Sequence, residues 1–452
     1  ALQCTTVKAP LDYAHPDAGD INLEAARKKA TRTSATRIGS LLFNPGGPGT
    51  SPIDRLTADP DAYPSLNAAY DLVALDPRGV GHSTPVDCGT DTSTATTASE
   101  IAAACARHAG RLLPHVGTLD AARDMDLMRA LLGDEQLHYL GWSYGTYLGA
   151  SYAELFPARV GRMVLDAAID PSLDAGSTYL NAARGYQVAW EAFAADCAAR
   201  DDCPVGHSVK EAGRTLDSLV ARLDRTPLQQ GKDITINGQV VLNTTAVLLR
   251  APSWLKAPNW PTLRQMLREV LAGDTTTLLK VYGGKLPGNP GDQSGNAVAC
   301  LSSTLGPRYT TSQAKTALAE FVRVAPQFGE SWSKGLTLCT SWPVPANQTA
   351  HPITASGAAP ILVVGTTRDP ATPYNQAQAL ARQLQSGRLL TWDGDGHGAY
   401  TRGSTCIENA VDHYLLDGRL PAAGTICTDA PDTANKPAGT TPEAPTPSGM
   451  RR

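Results

Sequence analysis

A mostly parallel α/β sheet interrupted by an inserted helical layer is the fold this sequence predicts, and three observations predict it. Short apolar runs ending in turn residues recur through the first third. A helical stretch separates two of those runs. The pattern fades near Asp174 and returns after His351.

Ile38–Phe43 reads IGSLLF and stops at Asn44-Pro45-Gly46-Gly47-Pro48-Gly49. Asp71–Leu75 (DLVAL) stops at Asp76-Pro77-Arg78-Gly79, and Leu137–Leu140 (LHYL) stops at Gly141. Val164 and Leu165 sit in a fourth run that ends at Asp166. Brief apolar runs bounded by turn residues are the mark of buried parallel strands. Between the second and third, Thr118–Leu132 places Ala121, Met125, Leu127, Met128 and Leu131 at helical spacing. Such β-α-β alternation argues for a parallel sheet with helices on its faces. From Asp174 to His351 helix-like segments dominate, among them Tyr179–Arg200 and Val209–Arg225, and read as a helical cap. Pro360–Gly365 and Arg388–Trp392 then resume the core strands, with a helix at Tyr374–Leu384 between them and a last one at Thr405–Leu416. The expected division is a first core part at 1–173, a cap at 174–351, a second core part at 352–429 and a Pro/Thr/Ala/Gly-rich disordered tail at 430–452.

Apolar residues make up 42% of the 452 and charged residues 18%, with a net charge of −4, which suits a globular chain with a large core. No cluster of Lys and Arg offers an electrostatic footprint for nucleic acid. No run reaches the ~20 apolar residues that a membrane helix needs. The nine cysteines contain no C-x-x-C pair and no Cys/His cluster of metal-site spacing, so no metal is expected. Eight of them are sequential neighbours: Cys88 with Cys105, Cys197 with Cys203, Cys300 with Cys339, and Cys406 with Cys427. Read as disulfides, they place the chain in an oxidising compartment and point to secretion, with Cys4 left over. The start, Ala1-Leu2-Gln3-Cys4, lacks a basic segment and an apolar run, so the expectation is a secreted form whose signal peptide is already removed. A monomer is expected.

The chemistry is concentrated at Gly141-Trp142-Ser143-Tyr144-Gly145, which follows a strand and opens a helix. A sharp strand-to-helix turn lifts a serine hydroxyl clear of the sheet, and small residues two positions either side avoid clashes there. Serine needs a base, and the base an orienting carboxylate. In a strand–turn–helix nucleophile of this kind the chain order is serine, acid, histidine. Asp369 follows the strand ILVVG, and His397 follows RLLTW inside Gly394-Asp395-Gly396-His397-Gly398. Among rivals, His82 precedes the serine, His413 falls within the last helix, and Asp393 and Asp395 flank the histidine loop and shape it. Two backbone N–H groups must meet the carbonyl oxygen as it turns negative. Tyr144, after the nucleophile, offers one, and Gly47, with Gly46 as alternative, offers the other. Asp76 and Arg78, in the turn after DLVAL, read as structural support.

Together NPGGPG, DPRGVGHS, GWSYGTYLGA, VLDAAIDPS, the Asp369 loop and the Gly-His-Gly loop resemble the prolyl-aminopeptidase-like branch of the α/β-hydrolases. The chain is most similar to the secreted tripeptidyl-aminopeptidase group of actinobacteria, across residues 4–428, including the opening Val7-Lys8-Ala9-Pro10-Leu11-Asp12-Tyr13. That resemblance implies removal of short peptides from the N-termini of peptide substrates, with no metal or organic cofactor. It also implies an acid two positions after a cap cysteine, where this chain has Ser302 after Cys300. A substrate ammonium buried without a carboxylate is costly. The cap acids Glu191, Asp196, Asp201 and Asp202 are the substitutes the sequence offers. The missing acid favours a second reading, an esterase or amidase acting on a small extracellular metabolite.

Overall fold

The computed structural model describes residues 2–32, 37–89, 97–231, 234–250, 260–281 and 293–428, so the expected tail at 430–452 lies outside the described residues. The strands in chain order are β1 (Leu2–Pro10), β2 (Asp20–Lys28), β3 (Gly39–Asn44), β4 (Tyr70–Leu75), β5 (Leu137–Trp142), β6 (Val160–Asp166), β7 (Leu228–Gln230), β8 (Ile234–Ile236), β9 (Ile361–Arg368), β10 (Gly387–Asp395) and β11 (Ile426–Cys427). Nine of them form one sheet in the order β1-β2-β4-β3-β5-β6-β9-β10-β11, while β7 and β8 pair separately. β2 runs antiparallel to both neighbours, and every later pairing in the large sheet is parallel. This is the α/β-hydrolase fold.

Every residue of β3 and β4 is buried, which is why both read as unbroken apolar runs. Their alternation feeds two cores. Leu42 and Val73 join the cluster on one face, and Leu41, Phe43, Leu72 and Ala74 join the cluster on the other. The β1–β2 hairpin was not expected from the sequence. β1 is an edge strand with mostly exposed residues, so no apolar run marks it, and β2 buries Ile21, Leu23, Ala25 and Ala26 between exposed or half-buried polar residues.

The segment between β6 and β9 is mainly helical. It opens with helix Ala175–Ala198, whose N-terminus Asp174 caps by accepting Ser177 N–H at 2.7 Å. Helices Val209–Arg225, Gly238–Arg250, Trp260–Leu271 and Gly329–Lys334 pack with it around Trp190, Phe193, Leu216, Leu267 and Phe328, a third cluster drawn entirely from residues 183–336. The end of the segment returns to the sheet: Ala297, Val298, Cys300, Leu301, Cys339 and Trp342 belong to the first cluster.

The four sequential cysteine pairs, Cys88–Cys105, Cys197–Cys203, Cys300–Cys339 and Cys406–Cys427, are disulfide-bonded, and Cys4 is free and exposed. A local loop closure of this kind contributes about 2–4 kcal/mol.

Arg78, fully buried, anchors the N-terminal hairpin. Its Nε and Nη2 donate to the two Asp124 oxygens at 2.7 Å each, and its remaining N–H groups reach the carbonyls of Pro10, Leu11 and His115 at 3.0–3.1 Å. Tyr13 adds a hydroxyl to Asp124 at 2.8 Å. A buried pair is costly to break because one charge is stranded. Asp124→Ala should therefore lower unfolding free energy by about 3–5 kcal/mol in urea titrations. A loss under about 1 kcal/mol would contradict this role.

Candidate active site

β5 ends in the turn that carries Ser143, and helix Tyr144–Leu155 starts directly after it. Ser143 has φ 54°, a left-handed conformation that a side chain adopts only under constraint. The flanking glycines explain how the turn closes. A Cβ on Gly141 would lie 2.5 Å from the Gly145 carbonyl oxygen, and one on Gly145 would lie 2.5 Å from the carbonyl oxygen of Asn44, at the end of β3. Ser143 is half-buried and sits at the positive end of the helix, where developing negative charge is favoured.

Asp369 follows β9 and His397 follows β10. His397 Nδ1 lies 2.9 and 3.0 Å from the two Asp369 oxygens. The carboxylate also accepts the N–H groups of Ala371 and Thr372 at 2.9 Å, the Thr372 hydroxyl at 3.0 Å and Gly398 N–H at 3.2 Å. Burial alone would push the Asp369 carboxyl up, but the His397 ring and these N–H donors outweigh it and hold it below its ordinary range. Asp393 and Asp395 are both bound by Arg368, at 2.7 and 2.6 Å, beside the histidine loop. His82 pairs with Asp54 and His413 with Asp417.

The element that joins these loops went unnoticed in the sequence. Asp166, last residue of β6, accepts Ser143 N–H on its backbone oxygen at 3.1 Å. Its carboxylate accepts the N–H groups of Ala399 and Tyr400 at 2.9 and 2.8 Å, just beyond His397. One buried residue thus fixes the serine turn and the histidine loop to each other. Burial pushes its carboxyl up to about 6, against the pull of those N–H groups. Trp142, Tyr63 and Tyr400 stack on one another at 5.9–6.4 Å between ring centres, bracing the same junction. The peptide of His397 is held at both ends: its carbonyl accepts Arg402 Nη2 at 2.7 Å, and its N–H donates to the carbonyl of Arg250 at 3.0 Å. Arg250 is the last residue of helix Gly238–Arg250, so the insertion touches the histidine loop directly. A polar residue closing the apolar run that ends at Asp166 was the one sequence signal for this junction.

The loop after β3 faces the serine turn. A Cβ on Gly46 would lie 2.6 Å from Trp142 O, 2.9 Å from Ser143 Cβ and 3.3 Å from Tyr144 N. Gly46 N–H is already donated to the Asn44 side chain at 2.9 Å. Gly47 N–H and Tyr144 N–H have no acceptor among the described residues, so of the two glycines only Gly47 keeps its donor uncommitted. Asp76, in the next turn, accepts the Ser51 hydroxyl at 2.7 Å and Ile53 N–H at 3.0 Å, anchoring the helix that follows this loop.

Of the expected amine-binding acids, Asp196 and Asp202 are ion-paired within the insertion. Asp196 pairs with Arg200 and Arg264 at 3.0 and 2.9 Å, Asp202 with Arg268 at 2.8 Å, and Glu191 accepts Gln187 Nε2 at 3.0 Å. Asp201 is exposed. Ser302 is buried, with its hydroxyl 2.9 Å from that of Tyr147 and accepting Thr304 N–H at 3.1 Å.

Residues 325–427 match the family described as TAP-like protein. The chain is 34% identical to serine protease Hip1 of Mycobacterium tuberculosis, across 94% of this chain and 87% of that protein. It is 32% identical to tripeptidyl aminopeptidase of Streptomyces lividans, across 96% and 85%. The chain belongs to the TAP-like family. A further relative, carboxylesterase B of Mycobacterium tuberculosis, is 37% identical across 94% of this chain and 86% of that one. This TAP-like chain is a serine hydrolase.

Two outcomes follow for this TAP-like site. Gly46→Ala, at φ 97° with no room for a methyl group, should cut hydrolytic turnover at least tenfold while circular dichroism shows the fold retained. Asp166 holds its proton more tightly folded than unfolded, so its contribution to stability is complete below about pH 4 and is lost as pH rises through about 6. Urea titrations from pH 4 to pH 7 should show that decline in the native protein, by about 3 kcal/mol at most, and a flatter profile in Asp166→Asn.

Proposed function

We propose that this TAP-like chain is a secreted serine peptidase that removes short peptides from the N-termini of peptide substrates. Ser143 is the nucleophile, His397 the general base and then acid, and Asp369 the carboxylate that orients the ring. The observation that carries the reading is the Asp369–His397 contact at 2.9 Å, in a loop that Asp166 ties to the strained Ser143 turn. Ser143 Oγ attacks the scissile carbonyl as His397 takes its proton. Gly47 and Tyr144 N–H receive the oxyanion, their donors having no acceptor among the described residues. His397 returns the proton to the leaving amine, and water then attacks the acyl-enzyme by the same route. Asp369, fully buried and ionised, stabilises the imidazolium that forms.

Residues 174–351 act as a cap that limits access to slender peptide ends. The names of the serine protease and tripeptidyl aminopeptidase relatives support a peptide substrate, and the four disulfides support action outside the cell. Ser302 supports a second reading. A hydroxyl already shared with Tyr147 and Thr304 holds an ammonium poorly, and with the carboxylesterase relative this favours an esterase or amidase.

One panel separates the two: tripeptide p-nitroanilides with free and acetylated amines, beside short p-nitrophenyl esters. A preference of at least tenfold for the free-amine tripeptide is expected, and dominant ester turnover with indifference to acetylation would overturn the peptidase reading. Ser143→Ala should remove activity on every substrate, and Asp369→Asn should lower kcat on the order of 10⁴-fold. Turnover persisting in Ser143→Ala would mean a different nucleophile.

A further inference from the structure

Inside the insertion lies a cavity of about 250 Å³, walled by Tyr179, Tyr186, Phe328 and Trp332 with Leu242 and Ala246. Its remaining lining includes Asn243 and Ser331 and no charged residue. Gln239 Nε2 donates to both the Asn243 and Ser331 oxygens at 2.8 Å, so those two oxygens are already engaged. An ionised guest would find no opposite charge in that lining, whereas an uncharged ring meets four aromatic walls. The rings are mutually tilted, with Tyr179 edge-on to Trp332 at 5.5 Å and Tyr186 at 5.4 Å, an arrangement that offers both faces and edges to an aromatic guest. The volume falls short of the ~300–1,000 Å³ of a drug-sized ligand site and suits one large side chain.

Two elements carry this cavity to the hydrolytic centre. Leu242, Ala246 and Arg250 are spaced by four on helix Gly238–Arg250 and so share a face, and Arg250 is the residue whose carbonyl holds His397 N–H. One such step is about 6 Å along the axis, close to the span of two extended residues. On the other wall, Tyr186 follows Gly185, where a Cβ would lie 2.5 Å from Pro370 O and 3.1 Å from Asp369 O.

We propose that this cavity is a substrate subsite that takes a bulky uncharged side chain, aromatic by preference, within about two residues of the scissile bond. The proposal rests on Ser143 being the nucleophile, and its test keeps the two apart. Tripeptide p-nitroanilides carrying Ala, Leu, Phe, Lys or Glu at each position in turn are compared in the native enzyme and in Ala246→Phe, which fills the cavity, with Ala246→Leu as the milder filling should the first misfold. At one position the native enzyme should favour Phe over Ala at least tenfold in kcat/KM and reject Lys and Glu. Filling the cavity should bring the Phe/Ala ratio within about twofold, mainly through KM. A native ratio below twofold at every position, or one that survives filling, overturns the subsite. Independently of turnover, N-acetyl-phenylalaninamide should change the tryptophan fluorescence of Ser143→Ala, N-acetyl-alaninamide should not, and adding Trp332→Phe should remove the change. Equal responses to the two amides refute the subsite. Selective binding alongside turnover that survives Ser143→Ala refutes the nucleophile and leaves the subsite standing.

Discussion

Asp166 is the residue on which the candidate site depends. Its backbone carbonyl takes the N–H of Ser143 and its carboxylate takes two N–H groups just past His397. Serine and histidine arrive from opposite ends of the inserted segment, more than two hundred residues apart in the chain. Neither loop has intrinsic reason to settle against the other. A carboxylate at the end of a buried strand, closed off from bulk solvent, supplies that reason: it must find donors, and the histidine loop provides them. The glycines at 141, 145 and 46 serve the same junction from the other side, since each removes a methyl group that would hold two backbones apart.

Much of this was readable from sequence for a specific reason. The core strands are buried on both faces, so β3, β4 and β9 stand out as apolar runs, and the candidate site residues sit in turns that follow strands. Ser143, Asp369 and His397 could be proposed from sequence because each follows a strand in the chain order such sites require. The helices Val209–Arg225 and Tyr374–Gln383 were visible through their spacing.

What escaped was determined by partners distant in sequence. The β1–β2 hairpin lies at an exposed edge, where no apolar run marks a strand. Asp166 looked like a strand terminus until the histidine loop was beside it. Gly46 and Gly47 are interchangeable as letters, and only the Asn44 side chain, by taking the Gly46 N–H, distinguishes them. The Arg250 carbonyl could not be foreseen, because a main-chain acceptor leaves no trace in residue identity.

The four disulfides have a consequence in their distribution. Cys88–Cys105 and Cys406–Cys427 lie within the sheet portion and Cys197–Cys203 within the helical cluster, while Cys300–Cys339 ties together two stretches of the insertion that pack in the sheet-side core. Oxidation stiffens local loops in both parts, and through Cys300–Cys339 it also firms the stretch of the insertion that rests on the sheet. The rest of the seam is left to packing and to hydrogen bonds such as the one from His397 to Arg250, which no cross-link reinforces at the mouth of the candidate site.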